Sequence, residues 1–117
     1  MKLYYFLHTK TGRCYLHVAC RLANLSAVQT LVSQEGADVN ARNVDGETPL
    51  LCMLKESTQA EPSMLLSALT RLLCDHGADI SVCDQYGNDA VAVAEERGWT
   101  DVLNVLKLCR FLFFLFF

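Results

Sequence analysis

The stretch Gly36 to Leu50, GADVNARNVDGETPL, decides how this chain is read, because it returns as Gly77 to Val91, GADISVCDQYGNDAV. Each copy opens Gly-Ala-Asp, turns through polar residues and carries a second glycine ten residues after the first. An apolar pattern of helical period then begins. The copies lie 41 residues apart, from Gly36 to Gly77 and from Gly46 to Gly87. A weaker start, Gly12-Arg13-Cys14-Tyr15-Leu16-His17-Val18-Ala19, lies 34 residues before Gly46. Self-similarity at such a period marks a stack of supersecondary units, each burying its apolar face against its neighbours.

Working outward from the repeat, the first unit runs over about 11–42, with helices read at Cys14–Arg21 and Ser26–Val32. Leu16, Ala19 and Cys20 share one stripe, and Val28, Leu31 and Val32 share another, at the spacing of half-buried helices. Ser26 is the expected N-cap, and Gly36 the expected left-handed residue after the second helix. The second unit, about 43–83, starts its first helix at Thr48-Pro49, proline at the first helical position having no amide to waste. Leu50 to Leu54 is apolar nearly all round, as a unit packed on both sides requires. Its second helix is read at Met64–Asp75. Gly46 to Gly77 spans 31 residues against 24 from Gly12 to Gly36, so about seven extra residues sit between the helices. They lie in Glu56 to Ser63, a polar run with one proline that reads as a surface loop. The third unit, about 84–107, keeps Gly87, Ala94 and Gly98, and Asp101 with Val102, Leu103, Val105 and Leu106 gives its second helix.

At these residues the chain resembles the ankyrin repeat, whose unit is a β-turn plus two helices with a T-P-L-H-x-A signature. Thr48-Pro49-Leu50 matches the opening of that signature and Leu16-His17-Val18-Ala19 its close. Gly-Ala-Asp followed by Val39-Asn40 or Ile80-Ser81 matches the turn between units. The resemblance implies an all-α solenoid of antiparallel helix pairs joined by β-turn fingers. It also implies binding of another protein on the concave face, without catalysis or cofactor. Carried over by position, the outward residues are Arg13, Arg21, Leu22 and Arg42 in the first unit. The second contributes Val44, Asp45, Glu47, Lys55 and Glu56, and the third Gln85, Tyr86, Asn88, Glu96 and Arg97. Arg42 and Tyr86 are the expected anchors, since Arg and aromatic side chains dominate interface energetics. Trp99, where the family usually has His, reads either as packed cap or as exposed anchor.

The rest of the composition narrows the function class. The 117 residues suffice for one domain, and 52% hydrophobic against 20% charged residues argues against disorder. A net charge of −3 with ten scattered basic residues gives no phosphate-binding surface, so no nucleic acid partner is expected. The six cysteines suit three disulfides by parity. Yet Leu3 to Leu7 is too short for a secretory apolar core of about 7–15 residues, so reduced thiols and a cytoplasmic or nuclear, unsecreted protein are expected. Cys14-x-x-His17-x-x-Cys20 has metal-ligand spacing, as does Cys74-Asp75-His76 with Cys83. A tetrahedral zinc site needs four ligands, or three with an open position, and no second short-spaced pair completes either set. The resemblance makes His17 the family histidine that hydrogen-bonds backbone near the turn, so no metal site is expected. No phosphate loop, nucleophile elbow or metalloprotease helix is present. In the resembled family the turn asparagine, here Asn40, can be hydroxylated when a leucine stands upstream. Val32 occupies that place, and a structural Asn40 is the expectation.

Residues 1–10 are an apolar lead that reads either as a cover for the first repeat or as a loose terminus. The tail, 108–117, is LCRFLFFLFF. Ten residues cannot cross a bilayer core that needs about 20. Three readings stand open: a lid folded back on the third repeat, a weak membrane or partner contact, or the translated edge of a splice site in a truncated ankyrin protein without independent function.

Overall fold

The structure, a computed structural model, describes residues 15–57 and 64–116. Among these residues the chain forms six helices and no strand. They are α1 (Tyr15–Arg21), α2 (Leu25–Val32), α3 (Pro49–Glu56), α4 (Met64–Asp75), α5 (Ala90–Arg97) and α6 (Thr100–Phe116). The lead, the start at Gly12-Arg13-Cys14 and residues 58–63 of the expected insertion lie outside the described residues.

The helix starts follow from local chemistry. Thr48 accepts a hydrogen bond from the Leu51 amide at 3.2 Å, with Pro49 at the first helical position. Asp89 accepts from the Ala92 amide at 2.9 Å and starts α5 in the same way. The expected Ser26 cap is displaced. Asn24 caps α2 instead, its Oδ1 accepting from the Ala27 amide at 3.1 Å. The cause lies one residue earlier. Ala23 leaves α1 in the left-handed region at φ 55°, so Asn24 is the residue that takes the extended backbone a cap needs.

Two layers result, one of α1, α3 and α5 and one of α2, α4 and α6, with α3 packed between α1 and α5 and α4 between α2 and α6. Every α3 residue from Pro49 to Leu54 is buried. Leu66, Leu69 and Leu73 of α4 are fully buried against α2 and α6, joined by Val28, Val102 and Leu106. A fully buried leucine contributes roughly 1.5–3 kcal/mol of transfer free energy. The middle repeat is therefore the densest part of the core. Trp99 is also buried, which settles it as packing rather than an exposed anchor.

The tail differs from the lid reading. It does not turn back. α6 runs on without a break through Phe116, because nothing after Leu106 supplies the glycine or proline that ends a helix. Leu108, Phe111, Leu112 and Leu115 are exposed on it at helical spacing. No described helix is long and apolar enough to cross a membrane.

Candidate functional site

The two fingers are built alike from their first residue. In one, Asn43 Oδ1 accepts from the amides of Asp45 and Glu47 at 3.0 and 2.9 Å. In the other, Asp84 Oδ1 accepts from the amides of Tyr86 and Asn88, both at 2.9 Å. Each turn closes through a glycine amide, Gly46 to the Asn43 carbonyl and Gly87 to the Asp84 carbonyl. Both glycines sit near φ +80°, a region costly for a side chain, which is why the glycine recurs at this step. The preceding turns repeat as well: Asp38 accepts from the Asn40 amide and Asp79 from the Ser81 amide, each at 2.9 Å. Asn40 then ties one turn to the next. Its Nδ2 donates to the Gly77 carbonyl at 3.0 Å and its Oδ1 accepts from the Asp79 amide at 2.7 Å. That accounts for Asn40 as a structural residue.

A polar seam joins the repeats beneath the fingers. His17 Nε2 donates to the Glu47 carbonyl at 2.7 Å, linking α1 to the next finger, as the resemblance implied. Lys55 Nζ lies 2.6 Å from Glu47 Oε2 and 2.7 Å from Asp84 Oδ2, bridging the two fingers. Burial opposes the lysine charge, but hydrogen bonds and charges from Asp84 and Glu47 outweigh it and hold Lys55 above its ordinary pKa. In return the Lys55 hydrogen bond, helped by the finger amides, holds Asp84 below the usual carboxylate range. Arg97 donates from Nη2 to the Lys55 carbonyl at 2.8 Å and from Nη1 to the Ser57 carbonyl at 3.3 Å. Its guanidinium also stacks 4.6 Å from the Trp99 ring centroid, so α5 of one repeat caps the open carbonyls at the end of α3.

These contacts divide the expected outward residues. Glu47 is corrected: at 4% exposure it is buried, drawn in by Asn43 Nδ2 and Lys55. Lys55 and Arg97 have their head groups engaged in the seam. Arg21 and Glu56 are half-buried. Arg42, Asp45, Gln85, Asn88 and Glu96 are exposed, with Leu22, and Val44 and Tyr86 are each 74% exposed at the tips. Arg13 lies outside the described residues. Lys55 sits 5.7 Å from the Tyr86 ring centroid, so the exposed ring stands over the seam. The seam itself was missed from sequence. The position-for-position match of Asn43 to Asp84 across the 41-residue repeat was the available signal.

Among the described residues the metal candidates are not brought together. Cys14 lies outside the described residues, and His17 is committed to the Glu47 carbonyl. His76 Nδ1 donates to the Leu72 carbonyl at 2.9 Å, and among the described residues Cys74, His76 and Cys83 form no common ligand set. One described set does have donor atoms within 4.8 Å of one another, Glu47, Cys52 and Glu56. The tethered ammonium of Lys55 already lies against Glu47 there, and a cation would have to compete with it.

Comparison with known proteins agrees with this geometry. A family model of ankyrin repeats in three copies matches residues 16–112. The putative ankyrin repeat protein YahD of Escherichia coli (strain K12) is 32% identical over 98 residues, 84% of this chain and 47% of its own length. Among solved structures, the ankyrin repeat protein EF0377 superposes with a TM-score of 0.78 at 26% identity, over 86% of this chain and 49% of that one. An ankyrin repeat domain from Acinetobacter baumannii AYE (ABAYE2397) has the same TM-score and coverage at 24% identity, a likeness of fold. The chain thus spans about half the length of the relatives it matches.

Proposed function

The chain belongs to the ankyrin repeat family, and from that premise we propose that it is a non-catalytic module binding another protein through its finger tips. One observation carries the reading. Arg42, Val44, Asp45, Gln85 and Tyr86 are exposed on turns whose shape is fixed by other residues, Asn43, Asp84 and the two glycines. The tips are therefore free to vary while their positions are fixed, which lowers the ordering cost of binding. Tyr86 is the central anchor, a large ring with little rotamer entropy to lose, and Arg42 flanks it. Lys55, Arg97 and Glu47 hold the platform rather than touch the partner. Leu108, Phe111, Leu112 and Leu115 on α6 support a second apolar contact by the tail.

The test is site-specific photo-crosslinking in the source cell. A photoreactive residue at position 86 is compared with one at Arg71, exposed on α4 away from the fingers. Capture of one protein through position 86 and not through position 71 is the expected result. Equal capture at both positions, or at neither, would refute the finger-face reading.

A further inference from the structure

α6 changes character along its length, and the change falls on one face. In its first two turns Thr100, Asp101, Asn104 and Lys107 are exposed, while Val102 and Leu106 are buried on the opposite side. Asn104, Leu108, Phe111 and Leu115 then follow one another at offsets of four, three and four, so the outward stripe turns from polar to apolar after Lys107. Phe111 and Leu115 are each 61% exposed, with Leu112 beside them. The repeat register places this step at the end of the neighbouring helix. The spacing from Gly12 to Gly36, applied from Gly87, ends at Phe111, which is therefore the counterpart of Gly77, two residues past the end of α4. α6 runs on beyond that point through Phe116.

We propose that the end of α6, from Leu108 to Phe116, docks reversibly on the surface of a lipid bilayer. The docking rests on the apolar tail contact proposed above, with lipid as its occupant. Two observations favour lipid. After Arg110 the helix reads FLFFLF, which offers no polar residue to any face. A helix laid in a protein groove keeps a polar side for water, and this segment has none to keep. Charge points the same way. After Asp101 the charged residues are Lys107 and Arg110, both basic and both at the step where the apolar segment begins. Lys107 is exposed, and the Arg110 side chain is 46% exposed with Nη2 4.0 Å from Asp89 Oδ2. There they meet lipid phosphates while the Phe and Leu side chains pass beneath. Nine residues of helix span about 14 Å, which stays within one leaflet of a core about 30 Å thick. A second copy is the poorer occupant. Two α6 stripes pairing through the four exposed side chains would bury on the order of 800 Å² in total, short of the about 1,200 Å² of a stable dimer.

The experiment sediments the full chain with vesicles of phosphatidylcholine, alone and mixed with phosphatidylserine. Half of the chain should be carried down at about 0.1 mM lipid, the strength of a single acyl anchor, with a gain of a few-fold when phosphatidylserine is present. Phe111→Asp/Leu115→Asp, at two exposed positions, should weaken binding at least tenfold and leave the melting temperature unchanged. In Phe111→Trp the new indole should be quenched by bromine placed on the acyl chains, while the buried Trp99 of the unaltered chain should not be. No sedimentation at about 1 mM lipid, or equal binding by the aspartate variant, would overturn the proposal. A dimer that the aspartate variant dissolves, found without vesicle binding, would overturn lipid as the occupant and keep the apolar tail contact. Indifference of both vesicle binding and self-association to the aspartate variant would overturn the tail contact as well. Capture through position 86 is read separately, so the finger face stands or falls on its own.

Discussion

Replacing Lys55 by methionine removes one positive charge from between two carboxylates that the fold has taken out of water. The Glu47 and Asp84 side chains are 6% and 1% exposed, and Lys55 Nζ lies within 2.7 Å of an oxygen of each. Deleting one partner of a buried pair costs about 3–5 kcal/mol. The lysine side chain is 25% exposed, so solvent screening brings the expected loss down to about 2–3 kcal/mol. For a chain of this size that is a fall of about 10 °C in melting temperature. The pH dependence carries the mechanism. Asp84 is held below its ordinary range chiefly by Lys55, so its contribution is present above the unfolded value and is lost as pH falls through the folded one. The gap between the native protein and Lys55→Met should be full at neutral pH and shrink below about pH 4. Adding Asp84→Asn to Lys55→Met should recover about half of the loss, because it neutralises one orphaned charge. Asparagine is already the residue at the matching position, Asn43, where its Oδ1 makes the same two finger bonds. Urea titrations of the three proteins between pH 3 and 8 give the answer. A loss below about 1 kcal/mol that is constant with pH would refute the seam as a coupling between repeats.

Two other substitutions probe the fold. Leu69→Ala, at a fully buried site between α2 and α6, should cost about 3 kcal/mol in a denaturant titration; a loss near zero would mean that the second-helix layer is not packed as described. Ala23→Gly should change stability by less than about half a kcal/mol, because relief of the left-handed strain offsets the lost methyl, whereas Ala→Gly within a helix costs about 1 kcal/mol.

The sequence was most legible where local chemistry and the repeat agreed. Thr48-Pro49 starts α3 and Met64–Asp75 is α4, because cap, proline and apolar period all point one way. It was least legible where a distant partner decides. Glu47 flanks an exposed turn and looks solvated, and its burial depends on Lys55 of α3 and on Asp84 of the next repeat. Ser26 and Asn24 are both good caps by residue type. The choice between them was made by Ala23, a left-handed alanine that no composition rule reveals. The length of α6 was obscured for a different reason. Nothing in a unit bounded at 107 marks where its second helix ends, and with no glycine or proline after Leu106 the helix continues through Phe116.

The account rests on tips that serve recognition and a seam that serves stability. The direct test is calorimetric titration of the partner captured through position 86. Val44→Ser/Tyr86→Ala is compared with Arg71→Ala, and each protein's melting temperature is measured alongside. The account predicts at least a tenfold loss of affinity for the finger variant, about 1.4 kcal/mol or more, with melting unchanged and no loss for Arg71→Ala. Wild-type affinity in the finger variant, or an equal loss in Arg71→Ala, would contradict it.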